Sequence, residues 1–124
     1  ILVSNENIKK FLDDLTELIK DLKPNLTIIV LKPFRGEQKF LQFCGDGMSV
    51  ILEIKNSIND LNFLSKLDEL TIYHHAIPYI IKDSRLSKRI TEECYPEYAQ
   101  FKEFLKKNDP DRIFKSEISQ RLDL

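Results

Sequence analysis

The chain has 124 residues, 42% of them hydrophobic and 31% charged, with 19 Lys and Arg against 20 Asp and Glu for a net charge of −1. That length fits one domain, and that mix fits a packed globule rather than a disordered segment. The balance leaves no basic excess of the kind that marks a nucleic-acid footprint, and the apolar runs, such as residues 26–31, are too short to span a bilayer.

In chain order, residues 1–3 read as the end of a strand, and Ser4 or Asn5 as the cap of a helix running to about Leu22. The helix carries Ile8, Phe11, Leu12, Leu15, Leu18, Ile19 and Leu22 on one stripe, and Lys23-Pro24-Asn25 stops it. Residues 26–34 are rich in β-branched side chains and predict a strand. A turn at 35–38 and a short run at 39–43 follow, the latter expected to pair back on that strand. A second turn at 44–47 then leads into an alternating strand at 49–55.

Residues 56–60 read as a capping region before a helix that turns Leu61, Leu64, Leu67 and Leu70 inward. Residues 76–81 predict a further strand, irregular or at an edge because of Pro78. Ser84 is the expected cap of a third helix from about Leu86, which Pro96 ends. A further helix to about Lys107 presents Tyr98, Phe101, Phe104 and Leu105. Asp109-Pro110 turns the chain, Phe114 is expected to anchor the tail, and Ser116 caps a short last helix. The order β-α-β-β-α-β followed by helices predicts an α+β fold: a ferredoxin-like antiparallel sheet with helices on one face, plus C-terminal helices.

In such a fold one sheet face is left to other cover. Val50, Leu52 and Ile54 are expected to face the helices, and Ser49, Ile51 and Glu53 the open side. The strand at 26–34 is apolar on both faces, with Thr27, Ile29 and Leu31 on one and Ile28, Val30, Lys32 and Phe34 on the other. Its second face calls for a partner, a second subunit, an absent domain or the folded-back C-terminal helices.

Single residues carry weaker signals. Cys44 and Cys94 lack a CxxC spacing; two reduced thiols are expected, with one disulfide the alternative. His74 and His75 are adjacent, so on a strand they point apart and make a poor chelate; no metal is expected. Ser84 and Ser116 read as caps, not nucleophiles, and three glycines leave no phosphate-binding loop. Lys32, between Val30 and Phe34 on its face, either snorkels to water or holds an anion or hydroxyl. Lys82, where a strand gives way to a polar turn, is either solvated or able to act on developing negative charge. Tyr79 and Lys82 are three apart, so a regular strand would send them to opposite faces.

The last third of the chain reads Tyr79-Ile80-Ile81-Lys82-Asp83-Ser84-Arg85, then Tyr95-Pro96, Phe104-Leu105, Asp109-Pro110-Asp111-Arg112-Ile113-Phe114, Ser116 and Arg121-Leu122. This ordered series resembles the C-terminus of FAD-linked oxidoreductases of the vanillyl-alcohol-oxidase superfamily, closest to decaprenylphosphoryl-ribose oxidase-like enzymes. Upstream, Leu31-Lys32-Pro33-Phe34 and Gly47-Met48-Ser49-Val50-Ile51-Leu52-Glu53 resemble two pocket strands of that family, with Met48, Ser49 and Ile51 where it has Trp, Asn and Cys.

The resemblance implies a C-terminal fragment, inactive alone, of an enzyme that oxidises a sugar or polyprenyl-phosphate-linked sugar alcohol by hydride transfer to FAD. Residues 1–82 would be a cap (substrate-domain) portion and 83–124 a helical segment returning to an FAD-binding domain that lies N-terminal to Ile1. It implies a catalytic Lys82, with Tyr79 and Lys82 beside the cofactor and Lys32, Phe34, Ser49 and Ile51 on the substrate. The implied partners are that FAD-binding domain and a sugar-type substrate; self-association through the open sheet face is a further expectation. The expected location is cytoplasmic, with membrane association left to the parent enzyme. A free-standing ferredoxin-like module for ligand binding or dimerisation is the alternative.

Overall fold

The computed structural model describes residues 1–55 and 57–124. Asn56, at the start of the expected capping region, lies outside them. The fold is α+β: a three-stranded antiparallel open sheet of β1 (Leu2–Ser4), β2 (Leu26–Phe34) and β3 (Gly47–Ile54), with helices α1 (Ile8–Leu22), α2 (Leu61–Tyr73), α3 (Lys88–Cys94), α4 (Tyr98–Asn108) and α5 (Glu117–Arg121). The sheet order is β1-β3-β2, and Ile77 adds a single antiparallel bridge outside β1 at Leu2. Bridge, β1, β3, β2 is the order that a ferredoxin-like arrangement requires.

The expected last strand at 76–81 is therefore reduced to one bridge. The cause is local: the N–H groups of Lys82 and Asp83 both donate to the Tyr79 carbonyl at 3.0 Å, which curls the chain into a tight turn just after Pro78. Residues 39–43 do not pair with β2 either. Phe40 sits at φ 51°, and Gln42 N–H donates to the Lys39 carbonyl, so this stretch turns instead of extending.

α1 begins at Ile8 rather than near Ser4, because residues 4–7 close a turn in which Asn7 N–H donates to the Ser4 carbonyl. Its stripe behaves as read: Phe11 and Leu15 are fully buried, and Lys23 ends the helix in the left-handed region ahead of Pro24. Burial of a side chain the size of Phe11 is worth roughly 1.5–3 kcal/mol. α2 buries Phe63, Leu67 and Thr71 and leaves Leu61 exposed. Leucines spaced by three drift about 60° per step on a helix of about 100° per residue, so Leu61 and Leu70 fall on opposite sides.

Val3, Phe11, Leu15, Val50, Phe63, Leu67 and Ala76 form a first core, with Leu52 and Ile54 packed on it. The helix-facing set on β3 is thus Val50, Leu52 and Ile54, as the alternation requires. A second core joins Ile80, Leu86, Ile90, Cys94, Tyr95, Tyr98 and Leu122, with Leu41, Ile72 and Ile77 against it. Ser87, not Ser84, caps α3, its hydroxyl accepting from Ile90 N–H. Ser116 and Ser119 close a reciprocal cap on α5. No helix among the described residues is long and apolar enough to cross a membrane.

Candidate functional site

The antiparallel register sets Lys32 opposite Ser49, Val30 opposite Ile51 and Phe34 opposite Gly47. Directly opposed residues share a face, so Lys32, Phe34, Ser49 and Ile51 stand together on the side of the sheet away from α1 and α2. Ser49 is buried, Phe34 and Ile51 are half-buried, and Lys32 is exposed. Ser49 and its neighbour Leu2 are covered because residues 35–46 fold across this end of the face. Gly45 lies so close that a Cβ there would sit 3.4 Å from Leu2 Cδ2, and Gly36 is packed so tightly that a Cβ would sit 2.5 Å from Cys44 Sγ.

The same loop carries a row of aromatic rings. Phe34 meets Phe43 edge-on at 5.5 Å between centroids, and Phe43 stacks on Tyr79 at 4.6 Å. Phe40 contacts Phe101 and Phe104 of α4 at 5.5 and 5.7 Å, and its N–H donates to Glu97 Oε2 at 2.6 Å. Beside this row lies a hollow of about 650 Å³ lined by Phe40, Phe43, Cys44, Tyr79, Ile81 and Phe101 among others. Tyr79 is thereby joined to the face that holds Lys32 and Phe34. Lys82 is not on that row: it stands exposed on the turn that follows Tyr79. The chain has turned before reaching Lys82, so strand alternation does not govern its direction. Among the described residues neither Lys32 nor Lys82 enters an ion pair.

Side chains from the last third of the chain hold the second core together. The Tyr95 hydroxyl donates to the Pro78 carbonyl and the Tyr98 hydroxyl to that of Leu122. Arg121 donates to the carbonyls of Asp83 and Leu86, and Arg85 grips Asp68 of α2 through two nitrogens at 2.6 and 2.8 Å. Asp109 accepts from the N–H groups of Ile113 and Phe114 at 2.8 and 3.0 Å. This turn projects Phe114 outward, 82% exposed, so it does not anchor the tail within this chain.

Ionisation follows burial. The Cys94 thiol is pushed up to about 12 by desolvation, and the Tyr95 hydroxyl is raised for the same reason, so neither is a ready nucleophile or base at neutral pH. Both cysteines are free thiols. His74 is buried against Phe11 with Nε2 2.8 Å from Asp14 Oδ2, while His75 is exposed in the left-handed region. Among the described residues no three His, Cys, Asp or Glu side chains gather as a metal site.

The aromatic row does not follow from strand or helix periodicity. In the sequence Phe40 and Phe43 stand only as part of a short run expected to pair with the strand before it, between two glycine-containing turns. No protein-family model matches the chain, and no curated protein matches it.

Proposed function

We propose that this chain is the C-terminal part of an FAD-dependent oxidoreductase, forming one wall of the site for a sugar or polyprenyl-phosphate-linked sugar alcohol. One observation carries the reading: Lys32, Phe34, Ser49 and Ile51 share the sheet face opposite the helices, and Phe43 links that face to Tyr79. Lysine with flat apolar rings suits a sugar, whose hydroxyls need donors and whose ring faces stack on aromatics. Bound FAD would supply the hydride acceptor.

The residues present fit part of that cofactor. Lys82 and the Tyr79 hydroxyl are donors able to stabilise negative charge on a reduced ring. They do not fit its phosphates: Gly36 and Gly45, the glycines at positive φ, are filled from above by Cys44 and Leu2 and leave no cradle. The phosphates would be held by the FAD-binding domain of the same parent chain. Lys32 would orient a substrate hydroxyl or phosphate, while Phe34 and Phe43 exclude water beside it.

The test is made in the parent protein, which is expected to purify yellow. Lys82→Ala is expected to slow substrate-driven bleaching of the flavin by roughly tenfold or more, the scale of losing a charge-stabilising group. Bleaching at the unaltered rate removes Lys82 from the chemistry, and a colourless parent removes the flavin reading. The free-standing module would instead be favoured by the open edge of β2.

A further inference from the structure

β2 is the outer strand of the sheet, and its peptide groups alternate in direction. Val50 exchanges hydrogen bonds with Ile1, so the even residues of β3 point toward β1 and the odd ones toward β2. Lys55 confirms the alternation, donating to the Asn25 carbonyl. On β2 the inward groups therefore belong to Ile28, Val30, Lys32 and Phe34, and the outward ones to Ile29, Leu31 and Pro33. Pro33 lacks its N–H on the side where no strand needs it. Ile29 and Leu31 keep free N–H and C=O groups there, with side chains 43% and 47% exposed, and Ile28 is 45% exposed on the other face. An apolar, unpaired edge of this kind is a template for another strand.

We propose that two copies of this chain pair antiparallel along the outer edge of β2, about a two-fold axis at Val30. This register is the one β2 itself favours. Ile29 meets the partner's Leu31 in hydrogen-bonded pairs on both sides of the axis. Pro33 falls opposite the partner's Thr27. That position already departs from regular pairing, because the ladder shifts between Leu26 and Ile28 and the Thr27 hydroxyl donates to the Glu53 carbonyl. The missing Pro33 N–H thus falls opposite a position where β2 is already irregular, at the end of the paired stretch.

Charge agrees with the register. Lys32, the only charged residue of β2, faces the partner's Ile28, and Ile28 is flanked on its inner side by Glu53. Glu53 and the partner's Lys32 lie in one cross-sheet row, two strand spacings or about 10 Å apart at the backbone, within reach of two long side chains. The pair forms twice by symmetry, and no like charges oppose each other. A contact one strand wide buries less than the roughly 800 Å² per partner of a standard interface, so the dimer is reversible and follows concentration.

The dimer does not depend on bound flavin: it shares Lys32 with the substrate face, but cross-linking and sedimentation read it without any flavin chemistry. At the axis, Val30 forms a non-hydrogen-bonded pair with its own copy, the geometry in which cross-strand disulfides close. In a Cys44→Ser background, which leaves only the buried Cys94, Val30→Cys is expected to give a disulfide-linked dimer on mild oxidation. Ile28→Cys, which faces the partner's Lys32, is expected not to. Lys32→Glu is expected to weaken dimerisation about tenfold, read by sedimentation over a roughly hundredfold range of concentration, and Lys32→Glu with Glu53→Lys to restore it. Circular dichroism checks that each variant folds. Cross-linking no better at Val30 than at Ile28, or no recovery in the double variant, overturns the register. A parent protein in which Val30→Cys stays uncross-linked, its β2 paired with a strand of its own chain, overturns the dimer.

Discussion

Asp60 shows how one buried charge fastens two crossovers. It is 2% exposed, yet its carboxylate accepts from Asn25 N–H at 2.9 Å, Asn25 Nδ2 at 3.0 Å and Ser57 Oγ at 2.8 Å. Asn25 lies just before β2 and Asp60 just before α2, so the bonds clip the start of the strand to the start of the helix. The Asn25 and Ser57 bonds favour the ionised form and hold Asp60 below the ordinary aspartate value of 3.8. A group whose folded value is depressed stabilises the fold above its unfolded value, and that support is lost as pH falls through the folded one. Asp60→Ala is expected to lower the urea midpoint at neutral pH. The variant should then lose less than the unaltered chain as pH falls through and below the ordinary aspartate range. Equal acid sensitivity in both would show that Asp60 is not the titrating clip. Nothing in the sequence marks this residue beyond its place before a helix, because its partner Asn25 lies on a separate element.

At the scale of elements, legibility followed periodicity. The bounds of β2, the α1 stripe and the inward set on β3 were readable because each repeats a local rule over several residues. The last strand was not: a local turn closed on the Tyr79 carbonyl bends the chain where side-chain preference called for extension. Alternation separated Lys32 and Phe34 from Ile29 and Leu31, and Ser49 and Ile51 from Val50 and Leu52. That Lys32 and Phe34 share one face with Ser49 and Ile51 needed the register, and their union with Tyr79 needed Phe43. Tyr95 is the residue that keeps this turn in place. Its ring is fully buried and its hydroxyl satisfies the Pro78 carbonyl between the bridge at Ile77 and Tyr79. Tyr95→Phe leaves that carbonyl without its partner and is expected to cost about 1–2 kcal/mol in urea unfolding. A cost near zero would mean that water replaces the hydroxyl and that the turn holds itself.

For the whole molecule the question is whether two cores unfold as one. The first is built from β1, α1, β3 and α2, the second from residues 80–122 with Leu41, Ile72 and Ile77 at the seam. Links between them include the Leu2–Ile77 bridge, the Arg85–Asp68 and Arg89–Glu69 pairs and the loop at 35–46. The loop reaches furthest, because Phe40 lays its ring on Phe101 and Phe104 while its backbone donates to Glu97. Phe40 does so from φ 51°, where a non-glycine backbone is strained, so the contacts with α4 must outweigh that strain. Phe40→Ala removes the ring and keeps the strain; Phe40→Gly removes both. Amide exchange separates the consequences. In Phe40→Ala the amides of α4 and α5 are expected to lose protection while those of Val50 and Ile51 on β3 hold theirs. Phe40→Gly should recover only the backbone part. If all amides shift together, the cores form a single cooperative unit and the loop is not the joint between them. Protection lost only around the hollow at Phe43 and Tyr79 would instead make Phe40 a lining of the site, with the seam carried by Arg85 and the bridge.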